Sequence, residues 1–195
     1  MFTGIIKELG QVKSISRRAK AALLEVCAKQ VAADASIGDS VSVNGVCLSV
    51  IEKKPSSLAF EVMEHTFKTT NLGQLRPRDR VNLESALKMG DKVSGHFVSG
   101  HVDCTGIIRR KQYIRGDLSL EITVSPAYSG YILDKGSVSL DGISLTIAQK
   151  KSGAFCVFII PHTLKNTTLG FKGHSDKVNV EFDMLAKSAI SNARS

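Results

Sequence analysis

At 195 residues, with 43% hydrophobic and 23% charged side chains, the chain has the composition of an ordinary globular protein. Its formal net charge of +8 is spread over short basic clusters at Arg17-Arg18, Lys53-Lys54, Arg76–Arg80, Arg109–Lys111 and Lys150-Lys151, and there is no Trp to stack bases; these read as solvated turns, with no nucleic-acid partner. No apolar run approaches the ~20 residues of a membrane span, and MFTGIIKELGQV carries no signal-peptide pattern, so the expectation is a cytoplasmic protein with no membrane partner.

In chain order, Phe2–Ile6 is predicted as an apolar strand followed by a turn near Gly10, and a strand in Ala21–Ala28 is its partner. Lys29–Ile37 is small and polar and reads as a loop. Ser40–Val50, SVSVNGVCLSV, alternates as a half-buried strand does, turns at Asn44-Gly45, and returns along Val46–Val50. Asn-Gly tolerates positive φ and closes tight hairpins. A turn at Pro55-Ser56-Ser57 leads to a strand at Leu58–Met63. One helical turn is predicted in Thr66–Asn71, ended by Gly73, and a last strand at Arg80–Leu83. About six short strands with regular turns predict a small closed barrel.

The chain then repeats itself. Ser137–Ile147, SVSLDGISLTI, restates Ser40–Val50. IPHTLKNTTLG at Ile160–Gly170 restates MEHTFKTTNLG at Met63–Gly73, and DKVNVE at Asp176–Glu181 restates DRVNLE at Asp79–Glu84. Ser40–Leu87 aligns on Ser137–Met184 without a gap, with about a third of the positions identical. Upstream, Gly4 meets Gly100, Gly10 meets Gly106, and Leu24–Val26 meets Leu120–Ile122. The period is far beyond the roughly 20–50 residues of a solenoid repeat, so the unit is a whole domain. The expected organisation is all-β, with two tandem six-stranded barrels at 1–92 and 93–184 and a helical tail at 185–195. Strands in the second half are predicted at Phe97–Val102, Ile107-Ile108, Leu118–Val124, Ser137–Ile147, Ala154–Ile160 and Lys177–Phe182, with a short helix in Pro126–Leu133. In Asp183–Ala193, Met184, Leu185, Ala189 and Ile190 recur at helical spacing, with Asp183 in the first turn. Such a helix suits either an oligomer contact or docking on its own barrel.

Several residues carry chemical interest. Cys47 stands where the second copy has Ser144; taken alone, a cysteine there is more often a small buried hydrophobe than a nucleophile. His96 and His101, with Cys104 nearby, hint at a metal, but zinc needs a fourth ligand and tighter pairing, so no metal is expected. Ser144 and Thr146 also fit as plain strand residues, and Asp141 as a turn residue. His65 and His162 are equivalent in the repeat, which favours a shared structural or contact role. Cys27, Cys47, Cys104 and Cys156 show no paired spacing and read as free thiols in a reducing compartment.

MFTGI, NGVCLSV, TTNLG, VNLE, GHFVSGHVD, LDGISLTI and IPHTLKNTTLG, in this order and spacing, resemble the riboflavin synthase alpha-chain family over essentially the whole chain. The resemblance implies two Greek-key barrels, a C-terminal helix and a homotrimer held partly by that helix. It implies a dismutation of two 6,7-dimethyl-8-ribityllumazine molecules into riboflavin and 5-amino-6-ribitylamino-pyrimidinedione, without cofactor or metal. It leaves room for association with lumazine synthase. It implies chemistry at or near Cys47, His101, Ser144 and Thr146. The N-terminal pocket would be lined by Gly4, Ile5, Ile6, Cys47, Leu48, Ser49, Glu61, Val62, Met63, Glu64, His65 and Thr66. The C-terminal pocket would be lined by Gly100, His101, Val102, Lys135, Ser144, Leu145, Thr146, Ile159, Ile160, Pro161, His162, Thr163 and Leu164. The sequence departs from the commonest family pattern at Glu64-His65-Thr66-Phe67, at Ser85 and at Lys187-Ser188. A non-catalytic lumazine- or flavin-binding relative is the alternative, but such proteins tend to lose the chemical residues of one half, and both halves are intact here.

Overall fold

The computed structural model describes residues 1–17, 20–114 and 116–192. Its first half contains β1 (Glu8–Arg17), β2 (Ala21–Cys27), β3 (Ser40–Val43), β4 (Val46–Lys54), β5 (Ser57–Met63) and β6 (Arg80–Ser85). They close in the order β1-β2-β5-β4-β3-β6, every pairing antiparallel. The second half contains β7 (Cys104–Ile114), β8 (Asp117–Thr123), β9 (Ser137–Leu140), β10 (Ile143–Lys151), β11 (Ala154–Ile159) and β12 (Lys177–Phe182), closed in the corresponding order. Three hairpin-connected strands, β3 to β5, with β2 returning beside β5, make the Greek key expected.

Alternation builds each core. Leu24, Val26, Val50, Phe60, Val62 and Leu83 point into the first barrel, and Leu120, Ile122, Ile147, Phe155, Val157 and Val180 into the second. Each such side chain contributes roughly 1.5–3 kcal/mol of burial. Lys29–Ile37 is not all loop: α1 (Gln30–Asp34) buries Val31 and Ala32, and the Glu8 carboxylate accepts from the N–H groups of Lys29 (2.6 Å) and Val31 (2.9 Å). The turn predicted from Thr66 begins earlier, as α2 (Glu64–Thr69), matched by α3 (Pro161–Asn166). Gly73 lies in the following 3-10 turn, where a Cβ would sit 2.2 Å from the Phe67 carbonyl oxygen. Pro126–Tyr131 is a 3-10 turn, and α4 (Met184–Asn192) is the tail helix, within the stretch expected to be helical. Asp183 Oδ1 caps it by accepting from the Leu185 N–H at 2.9 Å. Arg18 of the first basic pair, and Ala193 at the expected helix end, lie outside the described residues.

Two predicted strands do not form. Phe2–Ile6 and Phe97–Val102 make only an isolated bridge, in which the Phe2 N–H donates to Val98 (2.7 Å) and the Val98 N–H to Phe2 (3.0 Å). Their apolar residues serve contacts between the barrels instead. Ile6 packs against the second core and Val102 against the first. Gly10 is not at a turn either: it lies inside β1, where a Cβ would come within 2.5 Å of Leu83.

The two hairpin turns meet back to back. A Cβ on Gly45 would lie 2.6 Å from the Gly142 nitrogen, so both glycines are needed for close approach as well as for φ of 79° and 81°. Asn44 Oδ1 accepts from the Asn82 N–H, and Asp141 Oδ1 from the Asn179 N–H, both at 2.8 Å. Across the junction, Asn179 Nδ2 donates to the Asn44 carbonyl (2.7 Å) and Asn82 Nδ2 to the Asp141 carbonyl (2.9 Å). Lys172 pairs with the fully buried Asp141 carboxylate at 2.5 Å. The predicted turn role of Asp141 is therefore joined by a second one at the junction of the barrels.

Candidate active site

Strands β4 and β10 leave this junction, and Cys47 and Ser144 occupy the second position of each. Both backbone N–H groups are engaged from the opposite half. Cys47 N–H donates to the Gly100 carbonyl at 2.9 Å, and Ser144 N–H to the Gly4 carbonyl at 2.8 Å. Gly100 and Gly4 have φ of 81° and 75°, and a Cβ on either would lie 2.6 Å from the Cβ of Cys47 or Ser144. The grouping of the lining segments expected from the sequence is thereby exchanged. Gly4–Ile6 lies against Ser144 and the second barrel, and Gly100–Val102 against Cys47 and the first. The grouping implied by the resemblance assigns each segment to the barrel that follows it in the chain, and nothing in the alternation reveals the crossing.

One side chain near Ser144 was weighed in the sequence only as a metal ligand. His96 Nδ1 lies 2.7 Å from Ser144 Oγ. Burial holds the His96 pKa below the usual histidine value, with only the Asp183 carboxylate opposing it, so the ring is neutral at neutral pH. Its Nε2 is buried and has no hydrogen-bond partner among the described residues. The residue sits on the connection between the barrels and has no counterpart in the first copy, so the repeat could not point to it. Among the described residues, no three His, Cys, Asp or Glu side chains gather as a metal-binding group.

The other candidates divide by exposure. Ser49, Thr146 and His101 are exposed, with the His101 N–H donating to Ser99 Oγ at 3.1 Å. Ile5, Glu61, Met63, His65, Ile160, Pro161 and His162 are exposed, and Met63 and Ile160 present apolar surface at equivalent positions. Leu48, Val62 and Ile159 are core side chains and offer a ligand only their backbone. Leu145 and Leu164 lean on the second core while remaining partly open, and Thr66 in α2 and Thr163 in α3 are half-buried. Glu64 is paired with Lys68 at 2.6 Å. Lys135 is exposed at φ 65°, where the first copy has Gly38, and its N–H donates to the Ile147 carbonyl at 2.9 Å.

A cavity of about 440 Å³ lies elsewhere, lined by Asn44, Asn71, Arg80, Thr168 and Phe171 among others, and includes none of Cys47, His101, Ser144 or Thr146. The surfaces bearing those residues combine backbone groups, small hydroxyls, a thiol and a neutral imidazole with exposed apolar side chains. Such a set can bind a flat, polar-edged heterocycle and move a proton at its rim without a strong charge.

Comparison with known proteins agrees with this duplication. The lumazine binding domain family model matches twice, over residues 3–86 and 99–183. The chain is 41% identical to riboflavin synthase of Actinobacillus pleuropneumoniae over 187 residues, covering 96% of this chain and 87% of that one. It is 41% identical to riboflavin synthase of Mycobacterium tuberculosis over 191 residues (96% and 95%), and 36% identical to that of Bacillus subtilis over 187 residues (96% and 87%). Among solved structures, LumP complexed with 6,7-dimethyl-8-(1'-D-ribityl) lumazine superposes with a TM-score of 0.84 at 21% identity, covering 93% of this chain and 98% of that one. LumP complexed with riboflavin gives 0.86, also at 21% identity, over 93% and 99%. At that identity the likeness is one of fold.

Proposed function

The chain belongs to the riboflavin synthase family of tandem lumazine-binding domains, and from that premise we propose the following reading of its chemistry. It is a transferase that passes a four-carbon unit from one 6,7-dimethyl-8-ribityllumazine to another, giving riboflavin and 5-amino-6-(D-ribitylamino)uracil. The observation that carries this is the pair of equivalent surfaces, one per barrel, which offers one place for each of two identical substrates. Holding two reactants in register supplies several kcal/mol, with upper values of roughly 7–11.

One lumazine must lose a proton from its C7 methyl, and the other must be attacked at C7. The negative charge spreads into an electron-poor ring, so donors around the heterocycle matter more than a strong base. Neutral His96 can accept the Ser144 hydroxyl proton in a hydrogen bond, which turns the Ser144 lone pairs towards the open surface. Cys47 stands at the equivalent place in the first barrel, with a larger and softer group. His101 and Thr146 complete the set of chemical residues. The lining segments Gly4–Ile6, Cys47–Ser49, Glu61–Thr66, Gly100–Val102, Lys135, Ser144–Thr146 and Ile159–Leu164 hold the pyrimidine edge and the ribityl chain.

The two lumazine-binding units are taken as 1–92 and 93–184, with the tail beyond. The assembly is a homotrimer in the cytoplasm, in which the first barrel of one chain faces the second barrel of its neighbour. The open character of both surfaces supports a site completed by another chain. An association with lumazine synthase is compatible with this arrangement. LumP shares the fold at 21% identity, whereas the named synthases reach 41% over nearly the whole chain, which favours turnover over binding alone.

Purified protein mixed with the lumazine tests this. Lumazine absorbance should fall and riboflavin absorbance rise, one riboflavin for every two lumazines consumed. Saturable binding with no riboflavin formed would overturn the enzyme reading.

A further inference from the structure

Two buried carboxylates have no part in the chemistry above. Glu84, at the end of the first barrel's β6, is 2% exposed, and Glu181, in the second barrel's β12, is 4% exposed. Each accepts three hydrogen bonds from the segment that crosses to the other barrel. Glu84 Oε1 takes the Thr3 N–H and the Thr3 hydroxyl, both at 2.7 Å, and Oε2 takes the Gly4 N–H at 3.0 Å. Glu181 Oε1 takes the Ser99 N–H at 2.6 Å and the Ser99 hydroxyl at 2.7 Å, and Oε2 takes the Gly100 N–H at 2.9 Å. On the far side of the same residues, the Gly4 carbonyl receives the Ser144 N–H and the Gly100 carbonyl receives the Cys47 N–H.

We propose that Glu84 and Glu181 are positioning residues that act in trans: each, from the last strand of one barrel, holds the segment that walls the substrate surface of the other. The connection from Glu84 runs through Thr3 and Gly4 to Ser144, and that from Glu181 through Ser99 and Gly100 to Cys47. The geometry requires a carboxylate on both sides. All the facing groups are donors, and both oxygens are used, so a carboxamide would set its own N–H₂ against a backbone N–H. Burial raises the pKa of both groups, with the donors of the crossing segments opposing it, so placing an ionisable carboxyl at either position carries a desolvation cost that a simple packing residue would avoid. Ile6 and Val102, a few residues further on, then key the segments into the opposite cores. The consequence is that neither substrate surface is a property of its own barrel alone.

This inference rests on the reading of Cys47 and Ser144 as substrate-facing residues, but its test does not need turnover. Glu84→Gln and Glu181→Gln are compared by backbone hydrogen exchange and by alkylation of individual cysteines, resolved by peptide mass. Losing one charge-assisted hydrogen bond of this kind corresponds to about tenfold in a local opening equilibrium. Glu181→Gln should raise exchange at the Cys47 amide and alkylation of the Cys47 thiol by about that factor, leaving the Ser144 amide as it was. Glu84→Gln should do the reverse. Buried Cys156 reports on general loosening and should not change. Thr3→Val and Ser99→Ala, which remove one donor each, should give the same crossed pattern at smaller amplitude and serve if a glutamine variant fails to fold. The lumazine reaction measured alongside should show kcat falling in both glutamine variants. The proposal is overturned if each variant disturbs the surface of its own barrel, if both disturb the two surfaces alike, or if neither amide responds.

Discussion

Cys47 and Ser144 occupy the same place in two copies of one structure, and the difference between thiol and hydroxyl is where the copies separate chemically. Cys47 is half-buried on β4 with its N–H fixed to Gly100. Cys47→Ser keeps the shape, at slightly smaller size, and the backbone bond, so the fold and lumazine binding should survive while turnover drops by about tenfold or more, as follows when a group acting mainly in the transition state is altered. Unchanged kcat would make Cys47 a packing residue. A different residue sets the acid limb of stability. Glu25 is held down to about 2, first by its hydrogen bonds to Lys13 and Lys54, at 2.9 and 3.0 Å. A depressed carboxylate contributes stability above its unfolded pKa and loses it as pH falls through the folded value. The stability gap between the wild type and Glu25→Gln should therefore be constant at neutral pH and close between about pH 4.5 and 2, followed by denaturant unfolding. A gap that persists at pH 2 would show that the pair is not its source. At this scale the sequence named Cys47 and Ser144 because the copies differ there. It weighed His96, which has no second copy, only as a metal ligand, and it passed over Glu84 and Glu181, although the repeated VNLE and VNVE marked an acidic residue inside a strand in both halves.

The hairpins show what element-level reading recovers. Alternation and an Asn-Gly or Asp-Gly turn located β3–β4 and β9–β10 correctly, because short-range φ and period-two burial fix a hairpin locally. The same rules made strands of Phe2–Ile6 and Phe97–Val102, since an apolar run says that a face is buried and not against which neighbour. The turn glycines carry a long-range constraint of that hidden kind. Gly45→Ala must take both a positive φ and a clash 2.6 Å from the Gly142 nitrogen, at a cost of about 3 kcal/mol. Gly153→Ala, with φ 65° and nothing within 4 Å of its Cβ, bears only the first. In thermal unfolding Gly45→Ala should lower Tm by about 10 °C and Gly153→Ala by only a few, on the usual scaling for a chain of this size. Equal shifts would mean that the junction yields. The tail helix is the element that reaches outward. Lys187 ties α4 to Asp103 at 2.9 and 3.0 Å, while Leu185 remains 69% exposed. Deleting Met184–Ser195 should yield a monomer by light scattering with most activity gone, and a trimeric truncated protein would remove α4 as the main contact.

At the scale of the whole molecule the duplication is the governing fact. Its two barrels share one strand order and meet at a polar junction of Asn44, Asn82, Asp141 and Asn179. The repeat made the two domains legible from the sequence, because ungapped alignment of one half on the other needs no knowledge of packing. The junction and the crossed segments were not legible, since they depend on how two copies dock. A chain with two open, equivalent surfaces brings them to bear on one reaction only if surfaces of different kind come face to face. A head-to-tail contact of first barrel to second does this, and only some such contacts close into rings. Complementation measures it directly. Cys47→Ala damages one surface, and Ser144→Ala with Thr146→Val damages the other. Each variant is shown to be folded and inactive, then the two are unfolded together and refolded as a mixture. Sites formed between chains predict that mixed trimers pair an undamaged first barrel with an undamaged second barrel and that riboflavin formation returns. Mixed trimers that form and stay as inactive as their parents would contradict it.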